Sequence, residues 1–380
     1  LAAGAEQLKM KSVKCKVEVK SFKFWGSVLA VGAIVLSITR SASPGLGWYW
    51  VLHAAEAVGI FWLVRRNFIR VKFLMIVLLC GAVLQSALAF WQFSGQEVFA
   101  SKWLGMALHD PAASGVSVIE NEEGRFLRAY GAFPHPNILG GYLALAIGVV
   151  LASSRKLQEV TGSYRKLLFI SSFCFLVFGL VLSFSRSAWI AFLVGTAVFL
   201  IFNTAAGRRN SYFLKSFVIL YVSFFIFILA LWPLTKTRIL GEGRLERFSI
   251  EERAGKLGEA MEIVRRHPWL GVGLGNYTLA VYNELDNARR GTAYQPVHNV
   301  FALALAEFGF LGFAALIFME GIMTRWWSFL KRPGAFAVTV PLLILMSLDH
   351  FLWSLPFGLW LSGVMLGFAS RSEDDTIAVT

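Results

Sequence analysis

The sequence predicts an all-α, polytopic membrane protein, and three observations carry that reading: composition, recurrent apolar runs and the placement of basic residues. Of 380 residues, 57% are hydrophobic and 16% charged, with a mean hydropathy of +0.62, well outside the range of soluble domains. Apolar runs near the roughly 20 residues that cross about 30 Å of hydrocarbon recur along nearly the whole chain. Backbone in lipid must satisfy its own hydrogen bonds, so these runs read as helices, and most soluble enzyme folds are excluded.

Taken in order, about ten spans are expected, near 24–39, 47–64, 73–93, 137–154, 167–184, 188–203, 213–234, 298–320, 334–350 and 354–370. The lysine-rich segment 1–23, with Lys9, Lys11, Lys14, Lys16, Lys20 and Lys23, reads as a cytoplasmic tail rather than a cleaved signal. The first residue is Leu1 rather than Met, which leaves room for further spans ahead of it. Alternate connections carry basic residues: Arg65, Arg66, Arg70 and Lys72; Arg155, Lys156, Arg165 and Lys166; Arg208, Arg209 and Lys215; Arg325, Lys331 and Arg332. The positive-inside rule puts those loops and both termini in the cytoplasm. Residues 24–371 then form one polytopic domain, the long loops 94–136 and 235–297 face outward, and 372–380 is a cytoplasmic tail. The net charge of +13 is a consequence of this topology, so no nucleic-acid partner is expected. Cys15, Cys80 and Cys174 fall in the tail or within spans, so no disulfide framework is implied. No Cys/His cluster has zinc spacing, and no metal or cofactor is expected.

Ionisable groups near the apolar slab are costly and therefore informative. Most of those here collect on the outward side: Arg128, His135, Asn137, Arg186, Arg253, His267, His298, Asp349 and His350. Arg186, in Ser185-Arg186-Ser187 between two strongly apolar runs, breaks the positive-inside pattern. It either snorkels to headgroups or holds an anion at the rim of a cavity, where a planar guanidinium grips phosphate oxygens in pairs. In the second outward loop, Ser249 and Glu252 read as a capping box. Ile250, Ala254, Leu257, Met261 and Val264 then repeat at helical spacing until His267-Pro268, which predicts an amphipathic helix lying over the membrane. Arg253 borders that stripe, with solvation among Glu251, Glu252 and Lys256 as the alternative. The glycines of Trp269-Leu270-Gly271-Val272-Gly273-Leu274-Gly275-Asn276 follow no strand and precede no Lys-Ser/Thr, so they read as a docking turn rather than a nucleotide loop.

His298 is the most suggestive position. Pro296 suits a first helical turn and would put His298 near the third helical residue, where the helix terminus disfavours imidazolium. Ala302, Leu305, Gly309 and Gly312 continue its face and would admit a neighbouring helix; a merely packed interfacial histidine is the alternative. His53 and Glu56 read as a mutually satisfied pair, Glu307 as pairing with a neighbouring span, and Asp349 and His350 as supports for the site. His109, Asp110, Glu120, Glu122 and Glu123 read as a solvated loop.

Together these features resemble the O-antigen ligase and O-antigen polymerase family, which includes pilin-glycosylating oligosaccharyltransferases. His298-Asn299, nine residues, then Gly309-Phe310-Leu311-Gly312 fits the ligase pattern. Arg128-Ala129-Tyr130-Gly131 with Phe133-Pro134-His135-Pro136-Asn137, then Ser185-Arg186-Ser187-Ala188-Trp189, then His267-Pro268-Trp269-Leu270-Gly271-Val272-Gly273 follow in the family's order. The resemblance covers roughly 125–320, and the family usually has about twelve spans. It implies Arg186, Arg253 and His298 as the catalytic trio, with Arg128, His135, Asn137, His267 and Asn299 as substrate-binding residues. It further implies metal-independent, inverting transfer of a glycan from an undecaprenyl diphosphate donor to a lipid, protein or glycan acceptor, on the periplasmic face of a bacterial inner membrane. The arginines would neutralise the diphosphate, and His298 would orient or deprotonate the acceptor hydroxyl. A transporter or flippase of lipid-linked oligosaccharide would instead show charge in both membrane halves, broken helices or an inverted repeat, none of which is evident in the sequence. A peptidoglycan polymerase of the elongation and division type would not explain the His-Asn and Gly-x-x-Gly spacing.

Overall fold

The computed structural model describes residues 24–160, 163–207, 211–241, 243–324 and 332–371. The two expected tails, with Cys15, and the loop residues Arg208, Arg209, Arg325 and Lys331 lie outside the described residues. The helices in chain order are α1 (Phe24–Thr39), α2 (Pro44–Arg65), α3 (Val71–Gly95), α4 (Pro136–Val160), α5 (Ser163–Leu182), α6 (Arg186–Ala205), α7 (Ser211–Ala230), α8 (Trp232–Leu240) and α9 (Arg244–Arg266). There follow α10 (Tyr277–Ala280), α11 (Val300–Thr324), α12 (Pro333–Leu348), α13 (Phe351–Ser354) and α14 (Pro356–Ala369).

A helix lies on each segment read as a span. Among the described residues four helices can cross a bilayer by length and composition, Val71–Gly95, Pro136–Ser153, Arg186–Ala205 and Val300–Met319, or five if the bent pair Leu214–Ala230 and Trp232–Arg266 counts as one. The apolar helices Phe24–Thr39, Ser171–Leu182, Pro333–Leu348 and Pro356–Ala369 are shorter, so a count of about ten stays an expectation. The first of the two long loops, 94–136, is not irregular throughout. Val118–Asn121 (β1) and Gly124–Leu127 (β2) pair antiparallel, with Val118 opposite Leu127, a local exception to an all-α chain. Glu122 and Glu123 form its turn, which Asn121 closes by accepting bonds from the peptide N–H of Glu123 and Gly124.

The chain divides into two compact units. One contains 53–256, 298–300 and the chain from 328 onward. Its centre is α4, where Leu139, Leu143, Leu145, Ala146, Ile147 and Val150 are fully buried among α3, α5, α6 and α12. In lipid, apolar area gives helices little reason to associate, so close backbone approach decides the packing. Gly148 and Gly195 supply it: a Cβ on Gly148 would lie 2.1 Å from the Ala337 carbonyl oxygen, and one on Gly195 2.3 Å from the Pro341 ring. Within α2 and α14 of this unit, His53 Nδ1 meets Glu56 Oε2 at 2.9 Å, as expected, and Trp360 Nε1 donates to the same oxygen.

The other unit contains the chain up to Leu52, with Leu257–Val297 and Phe301–Trp327. Its main device corrects the reading of the small-residue face. α11 is broken at Gly309 (φ 63°, ψ −173°), and the partner at the break is a loop, not a helix. Phe310 and Leu311 donate to the carbonyls of Pro268 and Trp269, while Val272 and Gly273 donate to those of Ala306 and Glu307. Gly312 faces Phe308 of its own helix. The glycine turn 269–276 is thus a docking turn: Ser37 of α1 donates to the Leu270 carbonyl, and Asn276 exchanges bonds with Ser43. Glu307, expected to pair with a neighbouring span, accepts from the Gly275 peptide N–H. A Cβ on Gly309 would meet loop backbone at 2.4 Å, in a conformation that costs a non-glycine residue about 1 kcal/mol or more even without the clash. Gly309→Ala is therefore expected to lower the melting temperature measurably in detergent, whereas Gly258→Ala, with open space at its Cβ, should not.

Candidate functional site

The site residues of the first unit come from five stretches of chain: 127–137, 183–187, 238–256, 298–299 and 347–350. The start of the earliest, 127–132, is held by glutamines on α3 and at its C-terminal cap. Gln96 Oε1 accepts from Leu127 N at 2.7 Å, Gln92 Oε1 from Tyr130 N and Gly131 N at 2.9 Å each, and Gln85 Oε1 from Ala132 N at 2.8 Å. Gly131 takes a positive φ of 61°, and a Cβ there would collide with Gln85. The result fixes Arg128, whose buried guanidinium donates from Nε to the Ser183 carbonyl at 3.0 Å and from NH2 to Asn137 Oδ1 at 2.7 Å.

Asn137 passes the connection on, donating from Nδ2 to Asp349 Oδ2 at 2.8 Å. The buried Asp349 carboxylate also accepts from His350 N at 2.8 Å, so two neutral donors satisfy it. His135 caps α4: Asn137 N donates to its Nδ1 at 3.1 Å, which leaves the ring proton on Nε2, 3.1 Å from Ser117 Oγ. Burial, and then the Arg128 charge, push its pKa down to about 3, so it is neutral. Both its nitrogens are engaged inside the protein, as is the Arg128 guanidinium.

Arg186 is the first residue of α6. Ser185 caps the helix, accepting from Ala188 N, and Phe184 before it adopts φ 47°, unusual for a bulky side chain. Two buried arginines brace this turn, Arg128 on the Ser183 carbonyl and Arg238 of α8 on the Phe184 carbonyl, each at 3.0 Å. Arg238 also grips Glu246 Oε1, and the other Glu246 oxygen stands 3.3 Å from Arg186 NH2.

Helix α9 starts at Arg244, so Ser249 lies within it and is no cap; Gly243 precedes it in a left-handed conformation (φ 106°). Its expected stripe is split: Ile250, Leu257 and Met261 are exposed whereas Val264 is buried, and Lys256 is buried and paired with Glu252 at 2.9 Å. Arg253 is half-buried and makes no hydrogen bond or ion pair among the described residues. It interacts electrostatically with Asp349, Arg186 and Glu246.

His298 does not sit inside the helix. α11 begins at Val300, so Pro296 precedes the first turn and His298 is held just ahead of it, with Asn299 donating to the Ser347 carbonyl at 3.0 Å. The His298 ring meets that of His350 edge to face at 5.1 Å, and its Nδ1 is buried without a hydrogen-bond partner. His350 Nδ1 is engaged by Ser354 Oγ at 2.5 Å. Burial lowers the His298 pKa to about 4, with His350, Arg253 and Lys256 pushing the same way and Asp349 opposing. His298 is therefore a neutral imidazole, as expected, but through burial rather than a helix terminus.

His267 lies in the other unit, where its Nε2 is 3.0 Å from both oxygens of Glu284. The sequence does not single out Arg238, Glu246 or Lys256, because a basic or acidic residue in a charged loop carries no local mark of burial. Gln85 and Gln92 of α3 are a usable signal, being amides at helical spacing inside a span.

A helical membrane protein with arginines and a neutral histidine gathered at a buried, carboxylate-braced site is the class that fold and site define. Residues 171–317, less than half of the 380, match the family model described as O-antigen ligase, which is what this segment is similar to. The matched segment contains Arg186, Arg253 and His298, whereas Arg128, His135, Asn137 and Asp349 lie outside it. No curated protein matches the chain.

Proposed function

We propose that the chain transfers a glycan from an undecaprenyl diphosphate carrier to an acceptor hydroxyl on the periplasmic face of the inner membrane, as a metal-independent, inverting transferase. The observation that carries this reading is Arg253, whose charge couples on one side to Arg186 and on the other to His298 and Asp349. Two cations, from α6 and α9, thus lie within electrostatic reach of a neutral imidazole just ahead of α11. Arg186 and Arg253 neutralise the diphosphate as the bond from the anomeric carbon to its phosphate oxygen breaks. His298, neutral above about pH 4, takes the proton of the acceptor hydroxyl attacking from the opposite face. Arg128, His135, Asn137 and Asn299 hold the site's backbone rather than reaching substrate in this arrangement. The acceptor is a lipid core, a protein or a growing glycan. Transfer from a purified lipid diphosphate glycan in nanodiscs, with excess chelator present, tests the whole reading; loss of transfer restored by magnesium or manganese counts against it.

The His298 pKa has a measurable sign. Its value in the folded protein, about 4, lies below the ordinary 6.5 of a free histidine. The neutral base is thus retained on acidification through pH 6.5, and transfer should fall only as pH approaches about 4. The stability it contributes is present above pH 6.5 and lost as pH falls toward the folded value. A pH–rate profile with a midpoint near 6.5 would remove His298 as the base.

Orientation is tested separately. Trp103 is 97% exposed in the first outward loop. In a background with Cys15, Cys80 and Cys174 replaced by serine, Trp103→Cys is expected to react with a membrane-impermeant thiol reagent from outside the cell's inner membrane. Labelling only after the cytoplasm is opened would place the site on the wrong side.

A further inference from the structure

Glu246 is shared unequally between two arginines. Its Oε1 is gripped by Arg238, which is 8% exposed and also tied through Nε to the Phe184 carbonyl. Its Oε2 is buried, makes no hydrogen bond, and meets Arg186 NH2 only as an ion pair at 3.3 Å. Arg186 is 25% exposed, and its other contact, NH1 to the Arg238 carbonyl, is long at 3.5 Å. One half of this arrangement is closed and multiply anchored, and the other is open and loosely made.

We propose that Glu246 is an internal competitor for Arg186, a carboxylate that occupies the guanidinium between turnovers, yields it to the diphosphate of the donor, and takes it back as the spent carrier leaves. The inference rests on the diphosphate reading above. The reason for such a device is chemical: the donor and the spent carrier bear the same diphosphate, so a site that grips one grips the other. A phosphate oxygen that displaces Oε2 forms a charge-assisted, paired contact with the open guanidinium, while Arg238 keeps Glu246 in place to reverse the exchange. Anchoring of Oε1 is what makes the exchange reversible, since the carboxylate does not follow Arg186 away.

The test uses inorganic pyrophosphate as the probe and the full chain in nanodiscs. Glu246→Gln retains an acceptor for Arg238 but removes the charge that competes for Arg186. It is expected to tighten pyrophosphate binding about tenfold, to depress multiple-turnover transfer, and to leave the first turnover near the wild-type rate. In an Arg186→Ala background the same change should have no effect on pyrophosphate affinity. If Glu246→Gln does not fold, Glu246→Asp keeps a buried charge beside Arg238 and withdraws the second oxygen from Arg186, with about threefold tighter binding expected. Unchanged or weaker pyrophosphate binding by a folded variant overturns the proposal alone. A wild-type chain that does not bind pyrophosphate overturns the diphosphate reading, and the proposal with it.

Discussion

His298→Ala is expected to reduce glycan transfer by about two to four orders of magnitude while the protein still folds and still binds the lipid diphosphate donor. The expectation follows from its surroundings: Nδ1 is buried without a hydrogen-bond partner beside the His350 ring, and burial keeps the imidazole neutral. Such a ring has a lone pair to offer the acceptor hydroxyl and contributes little to donor affinity. A packing role gives a different pattern, with melting temperature and donor binding falling together and His298→Gln restoring much of the activity. Single-turnover transfer, donor affinity and melting temperature measured on both variants separate the two. Full transfer by a folded His298→Ala protein eliminates the base and shifts attention to Asp349 and His350.

Arg186→Ala is expected to weaken donor binding and transfer together, by about two to three orders of magnitude in single-turnover efficiency. Its guanidinium is held at the first residue of α6 and is partly open, and a charge in a half-dry site acts far more strongly than one in water. The change also leaves Glu246 bonded to Arg238, so the fold should survive. A snorkelling arginine would leave both quantities near wild type, and such a result would return Arg186 to the headgroup region. Arg244→Ala, at an exposed position, serves as the control for loss of surface charge.

The site was legible in the sequence wherever a residue contradicted its surroundings. Arg186 stands out as a lone cation between apolar runs, and His298 as an imidazole ahead of a span with glycines at a spacing that resembles the family's. Arg238, Glu246 and Lys256 give no such contrast, because charge among charged residues is the ordinary condition of a long polar loop. Gly309 was noticed for the wrong reason. Small residues at helical spacing imply a neighbouring helix, and periodicity cannot tell that from a helix interrupted to receive a loop. The start of α9 was misread in a similar way, since Ser249 and Glu252 satisfy a capping pattern that is equally compatible with the interior of a helix already begun at Arg244.

The membrane class, the helical segments and the choice of Arg186, Arg253 and His298 as candidates came from sequence alone, because lipid constrains composition and periodicity along the apolar runs. Long-range pairing had to come from the tertiary structure. The brace from Arg128 through Asn137 to Asp349, and the division of Glu246 between Arg238 and Arg186, join residues 9, 212, 8 and more positions apart, through side-chain geometry that one-dimensional spacing does not encode. Burial likewise belongs to the folded state: His298 is neutral because the packed protein excludes water around it, and no feature of its own segment determines that.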